Sequence, residues 1–478
     1  MNLLQRFFRS RGPKQASRKQ TFRVRPSVEV LEGRALPSVT VAQFVDAGGA
    51  AGIRVIEQGP NDTVTITDNS TAHTTTVVAD GKLQTFNKQF TLFDLELIGT
   101  KDALTFDIVG PYSARQADLQ VLLGTGENHF TFDPNLTAIT NHSDVNVNVQ
   151  GQNGNDFVNL SFGNILESRL NVNASGLGGS KSPVSPSAVR DTITFGNSRA
   201  GIRNSAVDVN VGLGQGNTNL TFNYGSDLGH LAGPAGTSDQ PGDFGPSTFN
   251  VNIAGSARRQ DTDNITLFAN GEINTGSTLD FNTQLGAGNN SFKATFDANQ
   301  FQVDDDGGVF SPGPTPGTFA PHSGGAVHFD VQAGAGNDTI SFASINQTHT
   351  IELSGLFDIN ILGGSGKDAI TTNFGGAGFS DDDPFEVVAT NRAFRLRIDG
   401  GTGSDTIKVN LANATTATFA WDVAILAGSG KSNTTFVGVN PGGHPTFGPA
   451  GAVFIDGGGP NNPVDVFGNF PVQVLNAM

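Results

Sequence analysis

Apolar and polar residues alternate along most of this chain, and glycine interrupts the alternation at intervals. In residues 394–411, FRLRIDGGTGSDTIKVNL, the apolar Phe394, Leu396 and Ile398 alternate with Arg395, Arg397 and Asp399. That period of two predicts a strand with one buried face. Gly400, Gly401 and Gly403 then predict a turn that needs positive φ, which glycine adopts at little cost. Asp405 closes the turn, where its carboxylate can accept from backbone N–H groups. Alternation resumes with Ile407, Val409 and Leu411. The unit is strand, glycine turn, strand.

The unit recurs at 121–132, 145–160, 207–222, 279–296, 327–342, 357–372, 419–436 and, degenerately, 453–467. Equivalent glycines lie 30 residues apart from Gly336 to Gly366, 37 from Gly366 to Gly403, 27 from Gly403 to Gly430 and 28 from Gly126 to Gly154. The 62 residues between Gly154 and Gly216 hold a degraded copy at 170–195 with a loop inside it. Units of this length bury an apolar face only by stacking on their neighbours, so the expected fold is an all-β parallel β-helix or β-roll solenoid. It has about ten to twelve imperfect repeats, two or three strands per coil, and loop insertions. The alternative is a run of antiparallel β-units without continuous stacking. Stacking predicts that Phe132, Phe222 and Phe342, at equivalent positions, share one internal column.

Composition sharpens this picture. Phe occurs 36 times against one Trp and two Tyr, which suits a narrow core that cannot satisfy a polar ring atom. With no cysteine, disulfides, thiolate metal sites and cysteine nucleophiles are excluded. Residues 1–40 carry nine Lys/Arg and two Asp/Glu, while the whole chain has a net charge of −16, so the body is strongly acidic. Such a surface repels phosphate and argues against nucleic acid as a partner. No stretch reaches the roughly 20 apolar residues that a transmembrane helix needs. Three regions follow: a basic, disordered leader at 1–38, a solenoid lead-in at 39–118, and the repeat solenoid at 119–478. In the lead-in, 75–78 and 83–86 flank Asp80-Gly81, a pair that favours a type I′ hairpin turn.

The leader lacks the apolar core of a secretory signal peptide. Its end, Val28-Glu29-Val30-Leu31-Glu32-Gly33-Arg34-Ala35-Leu36-Pro37-Ser38, resembles the LEPR-type N-terminal sorting segment of large, repeat-rich exported proteins of planctomycete-like bacteria. Leu31, Glu32, Arg34 and Leu36 match, and Gly33 stands where that family has proline. The resemblance covers about a dozen residues and implies a sorting address toward the envelope or exterior.

A second resemblance lies in the turns. Residues 363–371 (GGSGKDAIT) and 400–408 (GGTGSDTIK) fit G-G-x-G-x-D-x-U-x fully; 333–341 lacks the first glycine and 151–159 the second. The motif resembles the calcium-binding repeat of RTX-type exported proteins. That resemblance implies calcium held by turn carbonyls and by Asp338, Asp368, Asp405 and Asp156, the first three in consecutive units along one edge. Two departures stand against it. RTX repeats are tandem nonapeptides, whereas one motif occurs here per roughly 30 residues. Asn128, Thr218 and Asn290 also replace the Asp, and an Asx turn closes without metal.

Catalytic signals are weak. Residues 427–432 (AGSGKS) resemble a phosphate-binding loop, but its first glycine would fall on Ile425. There is no G-x-S-x-G elbow, and no two of His73, His129, His142, His230, His322, His328, His349 and His444 have metal-ligand spacing. The carboxylates Asp102, Asp156, Asp338, Asp368 and Asp405 repeat rather than form a unique pair, and the loop clusters 304–306 and 381–383 suit solvation. The expected function is a non-catalytic, exported, structural or adhesive surface protein; its turns are read first as metal-free Asx-capped structure, with a calcium ladder, and so calcium as a stabilising cofactor, as the alternative. Cell-envelope polysaccharide or other surface proteins are its expected partners. The alternative is a polysaccharide-binding or polysaccharide-cleaving β-helix.

Overall fold

The computed structural model describes residues 39–476, apart from 178–189, 230–244, 258–260, 304–324, 346–350, 375–378, 381–392, 412–419, 439–451 and several breaks of one to three residues. Residues 28–38, which resemble a sorting segment, and both acidic loop clusters therefore lie outside the described residues. Within them the protein is all-β, and consecutive units stack in parallel. One sheet has fifteen strands, each pairing with the equivalent strand of the next coil: Ala51–Glu57, Leu92–Leu97, Gln116–Leu123, Asp144–Gln150 and so on to Val472–Leu475. The second sheet holds the other half of each coil, from Thr63–Asn69 through Ala103–Val109, His129–Phe132 and Phe157–Ser161 to Val464–Gly468. Short third strands, such as Tyr112–Ser113, Ile139–Thr140 and Ile165–Leu166, pair with one another along its margin. The solenoid expectation holds, and continuous parallel pairing rules out the antiparallel alternative for the body of the stack.

Antiparallel pairing is confined to the N-terminal end. Val39–Val45 folds back on Ala51–Glu57, and Thr63–Asn69, Thr74–Ala79 and Lys82–Phe86 form a meander. The expected Asp-Gly turn is there, with φ of 47° at Asp80 and 75° at Gly81. These hairpins occupy an edge that would otherwise present open backbone groups. Parallel stacking has already begun at Ala51–Glu57, so residue 118 marks no break in it. The buried Asp68 clips this end together. Its carboxylate accepts from Thr75 Oγ1 at 3.1 Å, Tyr112 Oη at 2.8 Å and Arg115 Nη1 at 2.7 Å, and Arg115 lies 4.2 Å from the Tyr112 ring centroid.

Because side chains alternate across a strand, every second residue enters the space between the sheets. Register places Ile66, Phe106, Phe132, Leu160, Phe195, Phe222, Leu267, Ala294 and Phe342 in one continuous column. Phe132, Phe222 and Phe342 are all buried in it, as the spacing predicts. Rings stack along the column, with Phe195 and Phe222 at 4.6 Å between centroids, and meet the opposite sheet edge-on, with Phe222 and Phe281 at 5.3 Å. The core is one ring-filled slab closed at two corners per coil.

Candidate functional site

Polar chemistry concentrates at those two corners and on the outer face of the fifteen-stranded sheet. The first corner is the glycine turn. In later coils its glycines form two columns. Gly334, Gly364, Gly401, Gly428 and Gly458 have φ between 74° and 93°, and Gly336, Gly366, Gly403 and Gly430 have φ between 143° and 151°. In the second column a Cβ would also overlap the carbonyl oxygen of the glycine one coil earlier, so both conformation and closeness demand glycine.

Behind the glycines runs a buried side-chain spine. The N–H of each member donates to the side-chain oxygen of the equivalent residue in the next coil. The series runs Asp62, Asp102, Asn128, Asp156, Asp191, with distances of 3.3, 3.4, 3.3 and 2.9 Å. It resumes from Thr218 through Asp263, Asn290, Asp338, Asp368, Asp405 and Ser432 to Asn462 with distances of 2.7–3.3 Å. All of these residues are buried. The four aspartates implied as calcium ligands are in this spine: Asp338, Asp368 and Asp405 on successive rungs, and Asp156 nearer the N-terminal end.

The second carboxylate oxygen separates Asp from Asn. Asn128 Nδ2 donates to the Gly124 carbonyl at 3.2 Å, Asn290 Nδ2 to Leu285 at 3.0 Å, and Asn462 Nδ2 to Gly457. Each acceptor opens its own turn. In Asp102, Asp156, Asp191, Asp263, Asp338, Asp368 and Asp405 the corresponding Oδ2 is buried without a hydrogen-bond partner. Burial, the largest cause, raises Asp156 and Asp338 to about 6, and Asp191, Asp263 and Asp368 to about 7, against donated N–H bonds that pull the other way. Asp102 and Asp405 move in the same direction for the same reason. Glu57 is the extreme case. It occupies a place that Leu97 takes in the next coil, is 0% exposed, and has no hydrogen-bond partner for either oxygen. Burial, with Asp102, Asp62 and Asp80 adding negative charge, pushes it up to about 9.

Calcium takes about six to eight oxygens. Here Oδ1 of each aspartate already accepts a backbone N–H from the previous coil. The turn carbonyls of Gly334, Gly364 and Gly401 likewise accept from Ser365, Thr402 and Ser429 at 2.7–2.8 Å. Among the described residues no three His, Asp or Glu side chains gather where they could hold a metal ion. The aspartates share a column, as expected, but they are enclosed and engaged, and do not fit a calcium cage.

The second corner carries a spine that the sequence reading missed. The N–H groups of Arg115, Ser143, Ser168, Ser205 and Ser247 donate to Oγ of Ser143, Ser168, Ser205, Ser247 and Ser277 in turn, at 3.0–3.3 Å. These hydroxyls also donate: Ser143 to the Thr140 carbonyl at 2.7 Å, Ser168 to Leu166 at 2.7 Å, and Ser205 to Arg203 at 2.6 Å. Each serine immediately precedes a strand of the fifteen-stranded sheet, a fixed offset that could have revealed it.

On the outer face of that sheet, Asn148, Asn173, Asn210, Asn252 and Asn282 form an amide ladder. Each Nδ2 donates to the previous Oδ1 at 2.9–3.2 Å. The ladder floors a shallow groove of about 590 Å³, where Asp330 is the one carboxylate among the lining residues. A neighbouring column alternates in charge through Asp280, His328, Asp358, Arg395 and Asp422. His328 lies 3.9 Å from Asp358, which favours its charged form.

No protein-family model matches this sequence, and neither a curated protein nor a solved structure matches it. No helix among the described residues is long and apolar enough to cross a membrane.

Proposed function

We propose that this protein is a non-catalytic, exported scaffold or adhesion protein of the cell surface, addressed there by its basic N-terminal segment. One observation carries the reading: among the described residues, side chains capable of chemistry repeat as ladders, coil after coil, and do not converge on a reacting point. Catalysis needs a few groups held around one centre, whereas a ladder gives stiffness and a periodic face. The test is surface labelling of producing cells. Externally added protease or antibody should reach the intact chain, and replacing Leu31, Glu32 and Arg34 with alanine should retain it inside. A chain found only in the cytoplasm would end this reading, as would release of reducing ends from envelope polysaccharide.

The amide-lined groove favours a second reading, polysaccharide binding. Each ladder amide keeps donor and acceptor capacity beyond its neighbour bonds, so repeated hydroxyls of a glycan can be matched rung by rung. A single lining carboxylate suits binding better than cleavage, which uses a carboxyl pair. Retardation in native gels containing neutral polysaccharide, lost in Asn210→Leu, would support it.

A further inference from the structure

The disagreement between motif and geometry at the glycine corner has a positive content. We propose that Asp156, Asp338, Asp368 and Asp405 are metal-free members of the spine, each held as a carboxylic acid whose Oδ2–H donates to the carbonyl opening its own turn, the role that the amide Nδ2 plays in Asn128, Asn290 and Asn462.

Three observations converge on this assignment. Asp and Asn occupy the same column in the same register, and their Oδ1 atoms do the same work: Asn128 N donates to Asp156, while Asp263 N donates to Asn290. Position supports the second oxygen's role as well. The amides of Asn290 and Asn462 reach back five residues to Leu285 and Gly457. Counting back five from Asp156, Asp338, Asp368 and Asp405 gives Gly151, Ala333, Gly363 and Gly400. Oδ2 of Asp368 and Asp405 lies 3.2 and 3.1 Å from where a Cβ on Gly363 and Gly400 would stand, so it faces that turn opening. A charged oxygen would there meet a carbonyl dipole with its negative end forward; a protonated one completes a hydrogen bond.

Among the described residues no cation acts on these rungs: Lys367, which precedes Asp368, is exposed. Asp156 faces Asn128 and Asp191, and Asp338 faces Asn290 and Asp368. Asp368 faces Asp338 and Asp405, and Asp405 faces Asp368, Ser432 and Asp399. The titratable groups that bear on these rungs are carboxylates, so three ionised rungs in succession would repel one another, and burial opposes ionisation further. A proton on each rung removes both penalties. The sequence signature of a calcium turn would then be read by this fold as an acid-amide turn in which Asp and Asn are interchangeable.

The test compares the full chain with Asp338→Asn/Asp368→Asn/Asp405→Asn and with the single variant Asp368→Asn, in calcium and in chelator, at pH 5 and pH 8. The expected wild-type melting midpoint is the same in calcium and chelator and higher at pH 5 than at pH 8. Each variant should melt no lower than wild type at pH 8 and show a smaller pH difference. Infrared spectra of wild type at pH 5 should contain a carboxylic-acid carbonyl stretch that weakens in the triple variant. A midpoint that rises with calcium and loses that rise in either variant would overturn the proposal. So would absence of the acid band in folded wild type, a measurement that stands even if the triple variant fails to fold. Because these readouts concern the turns alone, a negative result here leaves the surface-scaffold reading untouched, and failed export leaves this proposal untouched.

Discussion

The two corners of each coil solve one problem with different chemistry. Both must satisfy a backbone N–H that the bend removes from the sheet ladders, and both do so by receiving it on a side-chain oxygen from the next coil. At the serine corner the acceptor is a hydroxyl, which also donates and so is satisfied on both counts. At the glycine corner the acceptor is often a carboxylate, whose second oxygen lies buried without a partner unless it carries a proton. The backbone differs as well. The glycine corner needs φ values from 74° to 151°, with coils approaching closely enough to forbid a Cβ, whereas at the serine corner Ala114, His142, Glu167 and Asn204 take left-handed φ values of 48–58°. One corner is held by steric necessity and sensitive to protons; the other is tolerant and indifferent to them.

The largest expected effect breaks the steric half of this contrast. Gly366→Ala places a methyl against the Gly336 carbonyl at a φ of 143°. It should cost on the order of 3–5 kcal/mol, measured by chemical denaturation. A loss below about 1 kcal/mol would show that the coils can part at this corner without penalty.

Next comes the pH profile of the wild-type protein. The spine aspartates have folded pKa values of about 6 to 7 against 3.8 for the ordinary group. A raised folded pKa means that the contribution to stability is complete below the ordinary pKa and is lost as pH rises through the folded one. The melting midpoint should therefore fall as pH is raised through 6 and 7. A second, smaller fall through about 9 belongs to Glu57 and should vanish in Glu57→Gln. A midpoint that is flat from pH 5 to 8 would mean that the aspartates find partners when ionised.

Ser205→Ala tests the opposite corner. It removes an acceptor for the Ser168 N–H and a donor to the Arg203 carbonyl, so a loss of about 1–3 kcal/mol is expected. The variant's pH profile should parallel that of wild type. A changed slope between pH 5 and 8 would show that the corners are coupled through the coil.

How far the sequence carried these conclusions depends on which residues repeat visibly. Period-two alternation and the glycine spacing gave the solenoid, the inner Phe column and the Asp80-Gly81 hairpin, because side-chain direction and φ are local properties. The common column of Asp338, Asp368 and Asp405 was legible for the same reason. The working direction of those carboxylates was not, since Oδ1 and Oδ2 are told apart only by the coil that stacks on them. Asp191 and Asp263 escaped notice because no full glycine motif precedes them. The serine spine was hidden by its residue type: serine is common in turns, and only its place before Asp144, Arg169, Ala206, Thr248 and Thr278 marks these five. The clip of Asp68 on Tyr112 and Arg115 spans more than 40 residues, and no local pattern announces it.

The smallest effect carries the opposite sign to the first. Glu167 holds a left-handed φ of 49° at the serine corner, where its N–H donates to the Arg203 carbonyl at 2.9 Å. Left-handed backbone costs an ordinary residue roughly 1–2 kcal/mol, and glycine is spared that cost. Glycine gives back about 0.5–1 kcal/mol through the greater freedom of its unfolded chain. Glu167→Gly should thus stabilise by at most about 1.5 kcal/mol, read as a small rise in denaturation midpoint at unchanged slope. Gly276 already takes this path three corners further along the same column, with φ of 73°. A clear loss in Glu167→Gly would mean that the Glu167 side chain holds the corner, and the two corners would then differ less in tolerance than their backbones imply.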